Sequence, residues 1–224
     1  MSDSSTKYPR TYHVPWSPGA TSDDKKLPSD WFYAYGYPGS EIVITEKLDG
    51  EGIHFTSFDV FARSDGAPTR SPWSRNLWDT DGLLWKIKSK ISEDEIVYGE
   101  NLYGEHSIHY DKLPAYFFAF AYRRGDYWFP WDDVVVMAEI LDVPTVPVLW
   151  RGVIETESQL KRMIADLMSQ PSTYGQEKDG VVIRKVGGFN NEDFPKNICK
   201  WVRENHVQTD QHWTKNWKKA ELIK

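Results

Sequence analysis

The segment Glu46-Lys-Leu-Asp-Gly50 combines residue types that can do covalent chemistry. It closes a β-branched run at 41–48, which predicts a strand followed by a turn. Because side chains alternate faces along a strand, Lys47 and Asp49 are expected on one face near its end. A lysine so placed can attack phosphorus once it loses its proton. Since Asp49 alone stabilises the ammonium, a divalent cation would be needed to rebalance the site. An exposed lysine before a β-turn is the alternative interpretation of the same residues.

The surrounding pattern predicts a mixed α+β domain with mainly antiparallel sheets and peripheral helices. Residues 1–40 are rich in Pro, Gly, Ser and Asp and predict an irregular wrap. Strands are predicted at 41–48, 52–63, 95–103, 115–122, 146–150, 180–186 and 197–203. Helices are predicted at 76–91, with an interruption at Gly82, at 131–141, and at 155–168 with Thr156 as N-cap.

Polar residues also stand near the ends of other predicted strands, and their order along the chain is informative. The set comprises Lys47-Leu-Asp-Gly50, Phe61-Ala-Arg-Ser64, Val97-Tyr-Gly-Glu100, Tyr116-Phe-Phe-Ala-Phe120, Asp179-Gly-Val-Val-Ile-Arg184 and Ile198-Cys-Lys200. In order and approximate spacing this set resembles the ATP-dependent RNA ligases, within the superfamily that also holds DNA ligases and mRNA capping enzymes. The resemblance implies the nucleotidyltransferase fold, an ATP-grasp-like ligase adenylation domain.

The resemblance implies that four residues act on phosphate. Lys47 would take AMP from ATP as a phosphoramide. Arg63 would engage the substrate phosphate, and Lys200 would contact the reacting phosphate. Asp179 would occupy the acidic, metal-assisting position, with Mg²⁺ or Mn²⁺ as the cation.

The resemblance also implies which residues hold the nucleoside. Glu100 would bind the ribose hydroxyls, since a carboxylate can accept two hydroxyl hydrogen bonds. Phe120 would stack on adenine, which makes ATP the expected nucleotide. Glu46, Asp49 and Gly50 stand beside the nucleophile and are expected among the nucleotide-binding residues.

Three positions depart from the family's pattern. Family members usually have Glu where this chain has Asp179, although Glu177 lies two residues earlier. A second lysine often follows Lys200 two places later, where this chain has Val202. An aspartate often follows the stacking aromatic, where this chain has Ala121. A protein that kept nucleotide or RNA binding and lost ligation is therefore an alternative.

Composition and charge narrow the class of protein further. Cys199 is the only cysteine, which excludes an intramolecular disulfide and favours a reducing, cytoplasmic location. No apolar run approaches the ~20 residues that a membrane span needs. Neither a P-loop nor a GxGxxG fingerprint occurs. The net charge is −6, yet residues 196–224 hold seven Lys and Arg against three Asp and Glu, a weak indication of a phosphate-facing tail.

The sequence thus predicts an irregular wrap at 1–40, an adenylation domain at 41–205 and a basic tail at 206–224, with no OB-fold domain after the last motif. The expected function is ATP-dependent joining of 5′-phosphate and 3′-hydroxyl RNA ends through lysyl-AMP. The RNA would be held by the domain, by the tail or by a partner protein in RNA binding or repair. A DNA nick-sealing ligase on the same core is an alternative. The stretches at 7–11 and 206–213 also look like small RNA ligase-like proteins, with no evident role.

Overall fold

In the computed structural model, which describes residues 5–63, 66–204 and 217–223, the chain forms two β-sheets with helices around them. The strands are β1 (Tyr12–His13), β2 (Glu41–Lys47), β3 (Glu51–Phe55), β4 (Val60–Ala62), β5 (Glu95–Asn101), β6 (Phe117–Arg124), β7 (Tyr127–Trp128), β8 (Val148–Val153), β9 (Gly180–Lys185), β10 (Phe189–Asn190) and β11 (Ile198–Val202). The helices are α1 (Trp31–Ala34), α2 (Arg75–Trp78), α3 (Leu83–Ile87), α4 (Trp131–Leu141), α5 (Glu157–Met168) and α6 (Phe194–Asn197).

The first sheet has the strand order β1-β11-β9-β2-β8, and the second has the order β10-β7-β6-β5-β3-β4. Their pairings are antiparallel, apart from the parallel pairing of β1 with β11. The mixed α+β fold predicted from the sequence is confirmed. Within the described ranges, no helix has both the length and the apolar character needed to cross a membrane.

The register of the first sheet decides which of its side chains share a face. Thr45 on β2 lies opposite Val182 on β9, and Val182 lies opposite Lys200 on β11. Lys47, two residues after Thr45, lies opposite Gly180. Residues directly opposite each other, and residues two apart on a strand, point to the same side of a sheet. The ladder therefore places the Lys47 and Lys200 side chains on one face.

Two glycines of the motifs lie so close to the backbone of a neighbouring strand that a side chain would not fit. A Cβ on Gly180 would overlap the Trp201 carbonyl oxygen. A Cβ on Gly50 would lie 2.5 Å from the Asn101 carbonyl oxygen. Neither glycine has positive φ. Gly50 therefore lets the turn after β2 press against the end of β5, which brings a strand of each sheet together at this point.

Three apolar clusters hold the layers together. One lies between the second sheet and α2 to α4, and includes Phe118 and Leu141. Another lies between the first sheet and helices α1 and α5, and includes Ile44 and Ile164. A third cluster, around Trp128, joins the two sheets. Each fully buried apolar side chain of this size stabilises the fold by about 1.5–3 kcal/mol.

Two predicted elements are broken in the structure. The predicted strand at 52–63 is a hairpin of β3 and β4, because the Thr56 hydroxyl accepts the Phe58 and Asp59 amides and turns the chain. The predicted helix at 76–91 is the pair α2 and α3. Gly82 between them is extended, and a Cβ there would lie 2.6 Å from the Leu77 carbonyl oxygen. Helices α4 and α5 agree with their predictions, including a capping box at Thr156.

Both described ends of the chain fold back on the domain. The N-terminal 40 residues, predicted to be irregular, also form β1 and α1. At the other end the Ala220 amide donates to the Tyr103 carbonyl over 2.9 Å, and the Tyr116 hydroxyl donates to the Ala220 carbonyl over 3.2 Å. Residues 217–223 are thus held against the loop between β5 and β6, whereas the stretch at 206–213 lies outside the described residues.

Candidate active site

A cavity of about 260 Å³ lies between the two sheets. Its size is close to the lower end of small-molecule sites, about 300–1,000 Å³. Seven of the nine residues predicted from the sequence line it: Glu46, Lys47, Gly50, Arg63, Glu100, Phe120 and Lys200. The other two, Asp49 and Asp179, lie beside the cavity and act on Lys47 through their charges.

Lys47, the last residue of β2, forms an ion pair with Asp179, the residue just before β9. Asp179 is fully buried. Burial alone would lower the pKa of Lys47, but the carboxylates of Asp179, Asp49 and Glu100 outweigh it and hold this pKa above its ordinary value. Lys47 is therefore an ammonium group in this state, and it must lose a proton before it can act as a nucleophile.

Asp179 is also the residue best placed to hold a divalent cation. Its Oδ1 atom is buried and has no hydrogen-bond partner among the described residues. In the described ranges no group of three or more His, Cys, Asp or Glu side chains could enclose a metal. Mg²⁺ in nucleotide sites commonly uses one or two carboxylates and completes its shell with phosphates and water. A single open carboxylate oxygen therefore fits Mg²⁺ or Mn²⁺ that arrives with a nucleotide.

The two carboxylates near Lys47 in sequence, those of Glu46 and Asp49, accept hydrogen bonds from backbone amides of neighbouring loops. The Asp49 carboxylate accepts the amides of Ser107 and Ile108, over 2.9 and 3.2 Å. The Glu46 carboxylate accepts the Thr173 amide over 3.0 Å. Strand alternation predicts Asp49 beside Lys47, and the charge of Asp49 does act on that lysine. Because β2 ends at Lys47, however, the Asp49 carboxylate bonds to the loop and does not pair with the lysine. The carboxylate that pairs with the lysine is that of Asp179.

Lys200 and Arg63 bring positive charge to the cavity from the two sheets. Burial lowers the pKa of Lys200 to about 8, helped by the charges of Lys47 and Arg63 and opposed by that of Asp24. Arg63 follows β4, and its amide donates to the Gly52 carbonyl over 2.8 Å. An anionic group between these cations would relieve their mutual repulsion. This end of the cavity is therefore suited to phosphate.

The remaining lining residues suit a sugar and a base. Glu100 on β5 accepts the Gly50 amide over 3.1 Å. Burial raises the pKa of Glu100 to about 7, with Lys47 acting in the opposite direction. Phe120 on β6 is half-buried, and Val182 on the first sheet also lines the cavity. A flat base fits between an aromatic ring and an aliphatic side chain from opposite sheets.

The lining residues that the sequence prediction missed include Tyr8, Thr11, His54, Tyr98 and Arg184. Strand alternation could have found His54 and Tyr98, which lie two residues from Gly52 and Glu100. Tyr8 and Thr11 lie in the N-terminal stretch that resembles small RNA ligase-like proteins. Arg184 is the last residue of its motif.

Arg184 is buried inside the cavity wall. It donates to the Phe120 carbonyl over 3.3 Å and to the Phe129 carbonyl. Burial lowers its pKa to about 10. Its Nε atom has no partner in the described part of the chain, so the wall keeps one buried donor for a ligand.

The structure shows what surrounds each of the three positions that depart from the family pattern. Ala121 is fully buried in the cluster around Trp128, so an aspartate there would bury a charge. Val202 is buried, and its amide donates to the Ser17 hydroxyl over 2.9 Å. Glu177 is exposed and pairs with Arg203 rather than with the cavity residues. Asp179 is thus the acidic residue of this motif that reaches Lys47.

Two sheets around one cavity, with a lysine–carboxylate pair at its polar end, match the nucleotidyltransferase domain of ligases in fold. Among these ligases the chain belongs to the RNA ligase family, whose sequence profile matches residues 40–202. Among curated proteins, no sequence matches the chain.

Solved structures share the fold at low sequence identity. An RNA ligase from Naegleria gruberi, solved with ATP and Mn, is 14% identical with a TM-score of 0.61, over 91% of this chain and 62% of that one. An archaeal ATP-dependent RNA ligase is 14% identical with a TM-score of 0.58, over 88% of this chain and 48% of that one. A protein from Aquifex aeolicus described as an ATP-dependent DNA ligase is 14% identical with a TM-score of 0.51, over 94% and 56%. The chain therefore spans about half to three fifths of the length of these proteins.

Proposed function

We propose that this protein is an ATP-dependent RNA ligase that joins 5′-phosphate and 3′-hydroxyl ends through a lysyl-AMP intermediate on Lys47. The observation that carries the proposal is the Lys47–Asp179 pair beside one cavity that also contains Lys200, Arg63 and Glu100. These groups supply a nucleophile, a carboxylate at the phosphate end, cations for phosphate and an acceptor for ribose. Membership of the RNA ligase family supports RNA as the substrate class.

In the first step the Lys47 nitrogen attacks the α-phosphorus of ATP. An N–P bond forms, the bond from the α-phosphorus to the bridging oxygen breaks, and pyrophosphate leaves with the electron pair. Lys200 and Arg63 neutralise the charge that builds on the phosphate oxygens. The chain contributes position and charge, which are the main terms in phosphoryl transfer.

Lys47 must lose its proton before it attacks, and three features of the site bear on this. Burial and the charge of Lys200 favour the neutral amine, whereas Asp179 favours the ammonium. A Mg²⁺ or Mn²⁺ ion held by Asp179, phosphate oxygens and water would neutralise phosphate charge and weaken the hold of this carboxylate on the Lys47 proton. Asp179 is the partner of the resting lysine, and with a cation bound it would also link the protonation of Lys47 to that cation.

The two later steps use the same phosphate end of the cavity. A 5′-phosphate oxygen of the RNA attacks the phosphorus of lysyl-AMP, which frees Lys47 and leaves an adenylated end. The 3′-hydroxyl oxygen then attacks the 5′-phosphorus, so that a phosphodiester forms and AMP leaves. Each step exchanges one bond to phosphorus for another, and the hydroxyl proton passes to solvent or to a nearby base.

A second candidate, a ligase that seals nicks in DNA, has the support of the similarity to the Aquifex aeolicus protein. Loss of ligation with retained nucleotide binding is a third, because three family positions are changed. RNA offers 2′-hydroxyls that a compact site can read directly, and DNA does not. The first two candidates therefore differ in substrate, and the third differs from both in lacking ligation.

Three substrates separate these candidates: a nicked RNA duplex, a single-stranded RNA and a nicked all-DNA duplex, each with 5′-phosphate and 3′-hydroxyl ends. At low salt with ATP and Mg²⁺, we expect sealing of an RNA substrate, with the yield falling as salt rises. Sealing of the DNA nick alone would assign the protein to DNA repair. Labelling of the protein with AMP but no sealing of any substrate would favour the binding protein.

A further inference from the structure

The N-terminal strap, defined as residues 5–17, crosses from the second sheet to the first along one side of the cavity. The Tyr98 hydroxyl donates to the Thr6 carbonyl over 2.8 Å, which holds the start of the strap on the second sheet. Eight residues on, the Val14 amide donates to the Lys200 carbonyl over 2.9 Å. The strap therefore spans both sheets, and Tyr8 lies on the cavity wall between these two anchors.

Tyr8 is inserted among four aromatic rings from both sides of the cavity. The ring centroids lie 5.0 to 5.4 Å from that of Tyr8, and the rings are those of Tyr98, Phe120, Trp128 and Phe194. The pairs with Phe120, Trp128 and Phe194 are edge-to-face, the geometry that the aromatic quadrupole favours.

Phe120 differs from the other three rings in its exposure. Tyr98, Trp128 and Phe194 are each buried to 1% exposure or less and are fixed by the core. Phe120 is half-buried and faces the cavity, so fewer neighbours fix its orientation. The edge of Tyr8, at an interplanar angle of 72°, is one contact that fixes it.

We propose that Tyr8 is a positioning residue of the nucleotide site, which fixes Phe120 in the orientation that stacks on the base and closes the base end of the cavity. This inference rests on the proposed function. It adds to the site a part of the cavity wall, formed by Tyr8, that lies before residue 40, where the family match begins. The ring is the part that matters, because the contacts with Phe120 are aromatic. The strap also connects this wall to the strand that carries Lys200.

The test compares Tyr8→Ala and Tyr8→Phe with a matched control, Tyr33→Ala, which removes a tyrosine that is 63% exposed on α1. Binding of adenosine and of tripolyphosphate to the full chain is measured by calorimetry, with the melting temperature of each variant. Tyr8→Ala should weaken adenosine roughly 3- to 10-fold, the strength of an edge-to-face pair. Tripolyphosphate binding should stay within about twofold, since it does not touch Phe120. Tyr8→Phe and Tyr33→Ala should behave as the unchanged protein.

A double-mutant cycle keeps the test decisive if Tyr8→Ala does not fold. Tyr8→Leu and Phe120→Leu keep the bulk of each side chain, and their effects on adenosine affinity should be non-additive if one ring positions the other. Additive effects, equal adenosine binding by Tyr8→Ala, or no adenosine binding by the unchanged protein would each overturn the inference. Failure of the proposed function would appear elsewhere, as adenosine binding without labelling of Lys47 or sealing of RNA.

Discussion

The two sheets contribute different kinds of groups to the proposed site, and they fix them in different ways. Lys47 and Lys200 belong to strands of the first sheet and Asp179 directly precedes β9 between them, so the backbone ladder sets their spacing. Glu100 and Phe120 come from the second sheet, where the hydrogen bond from the Gly50 amide and aromatic packing set their positions. The groups proposed for bond exchange thus stand mostly on the backbone ladder of the first sheet, with Arg63 after β4 as the exception, and those proposed for nucleoside recognition are placed by side-chain packing. Changes at Lys47, Asp179 and Lys200 should alter rates, and changes at Glu100 and Phe120 should alter affinity.

The largest effect is expected for Asp179→Asn in the first sheet. Loss of this charge should slow the labelling of Lys47 roughly 100-fold at fixed Mg²⁺, the usual scale for removing one electrostatic group from a transition state. Equilibrium titration should show a much smaller change in ATP affinity. Glu177→Gln is the matched control, since Glu177 is exposed and lies two residues away. A crippled Glu177→Gln with a normal Asp179→Asn would mean that the metal-assisting residue is Glu177.

Phe120→Ala in the second sheet should give the opposite pattern. Loss of stacking should weaken adenosine and ATP by about 1–2 kcal/mol, roughly 5- to 30-fold, with little change in the labelling rate at saturating ATP. The control is Phe58→Ala, because Phe58 is 67% exposed on the turn between β3 and β4. If Phe120→Ala lowered the labelling rate at saturating ATP without changing ATP affinity, the separation of rate and affinity between these two groups of residues would be wrong.

A smaller effect, on pH dependence, is expected from Glu100. Because burial raises its pKa to about 7, the ionised form that accepts two ribose hydroxyls is gained as pH rises through 7. Adenosine affinity should therefore increase several-fold between about pH 6 and 8, on the scale set by this pKa. Glu100→Gln should bind weakly at both values. Adenosine is the suitable probe because it carries no titrating phosphate.

The same group predicts a stability change of the opposite sign. The raised pKa means that folded Glu100 holds a proton that the unfolded chain releases, so this stabilisation is full below the ordinary value of 4.5 and is lost as pH rises through 7. The melting temperature of the nucleotide-free protein should fall over this window, and Glu100→Gln should reduce the fall. An identical decline in both proteins would contradict the assignment.

The smallest effect on the site is expected from the C-terminal segment. Ala220 is 5% exposed and is bonded to Tyr103 and Tyr116 in the loop between β5 and β6. Ala220→Asp should lower stability by about 2 kcal/mol, a fall of roughly 4–8 °C in melting temperature. ATP affinity should change less than about threefold, because Phe120 and Glu100 keep their other contacts. Glu221→Gln, at an exposed neighbour, is the control.

Much of this arrangement could be predicted from the sequence because its signals are local. The β-branched run before Lys47 predicts β2, and the capping pattern at Thr156 predicts α5. The motif residues at strand ends converge because those strands are neighbours in the two sheets. Strand alternation gives only part of the surroundings of Asp49: its charge acts on Lys47, but the strand ends two residues earlier and a loop donates hydrogen bonds to its carboxylate.

The rest depended on contacts that are distant in sequence. The Lys47–Asp179 pair joins residues 132 positions apart, and the register that creates it cannot be read from either segment alone. Tyr8 reaches Phe120 because the Tyr98–Thr6 hydrogen bond and the pairing of β1 with β11 fix the strap across the cavity. The break between α2 and α3 likewise follows from the close contact of Gly82 with the carbonyl of Leu77.

The most direct measurement is the intact mass of the protein, before and after incubation with ATP and Mg²⁺, with the modified residue mapped by peptide sequencing. The proposed function predicts the addition of one AMP, attached to Lys47 through a bond that is labile in acid and stable in alkali. Lys47→Ala should take up no AMP. Because it leaves the buried Asp179 carboxylate without its ion-pair partner, its melting temperature should also fall, so its fold is checked by circular dichroism beside the mass. Uptake of AMP by a folded Lys47→Ala protein would contradict the central claim.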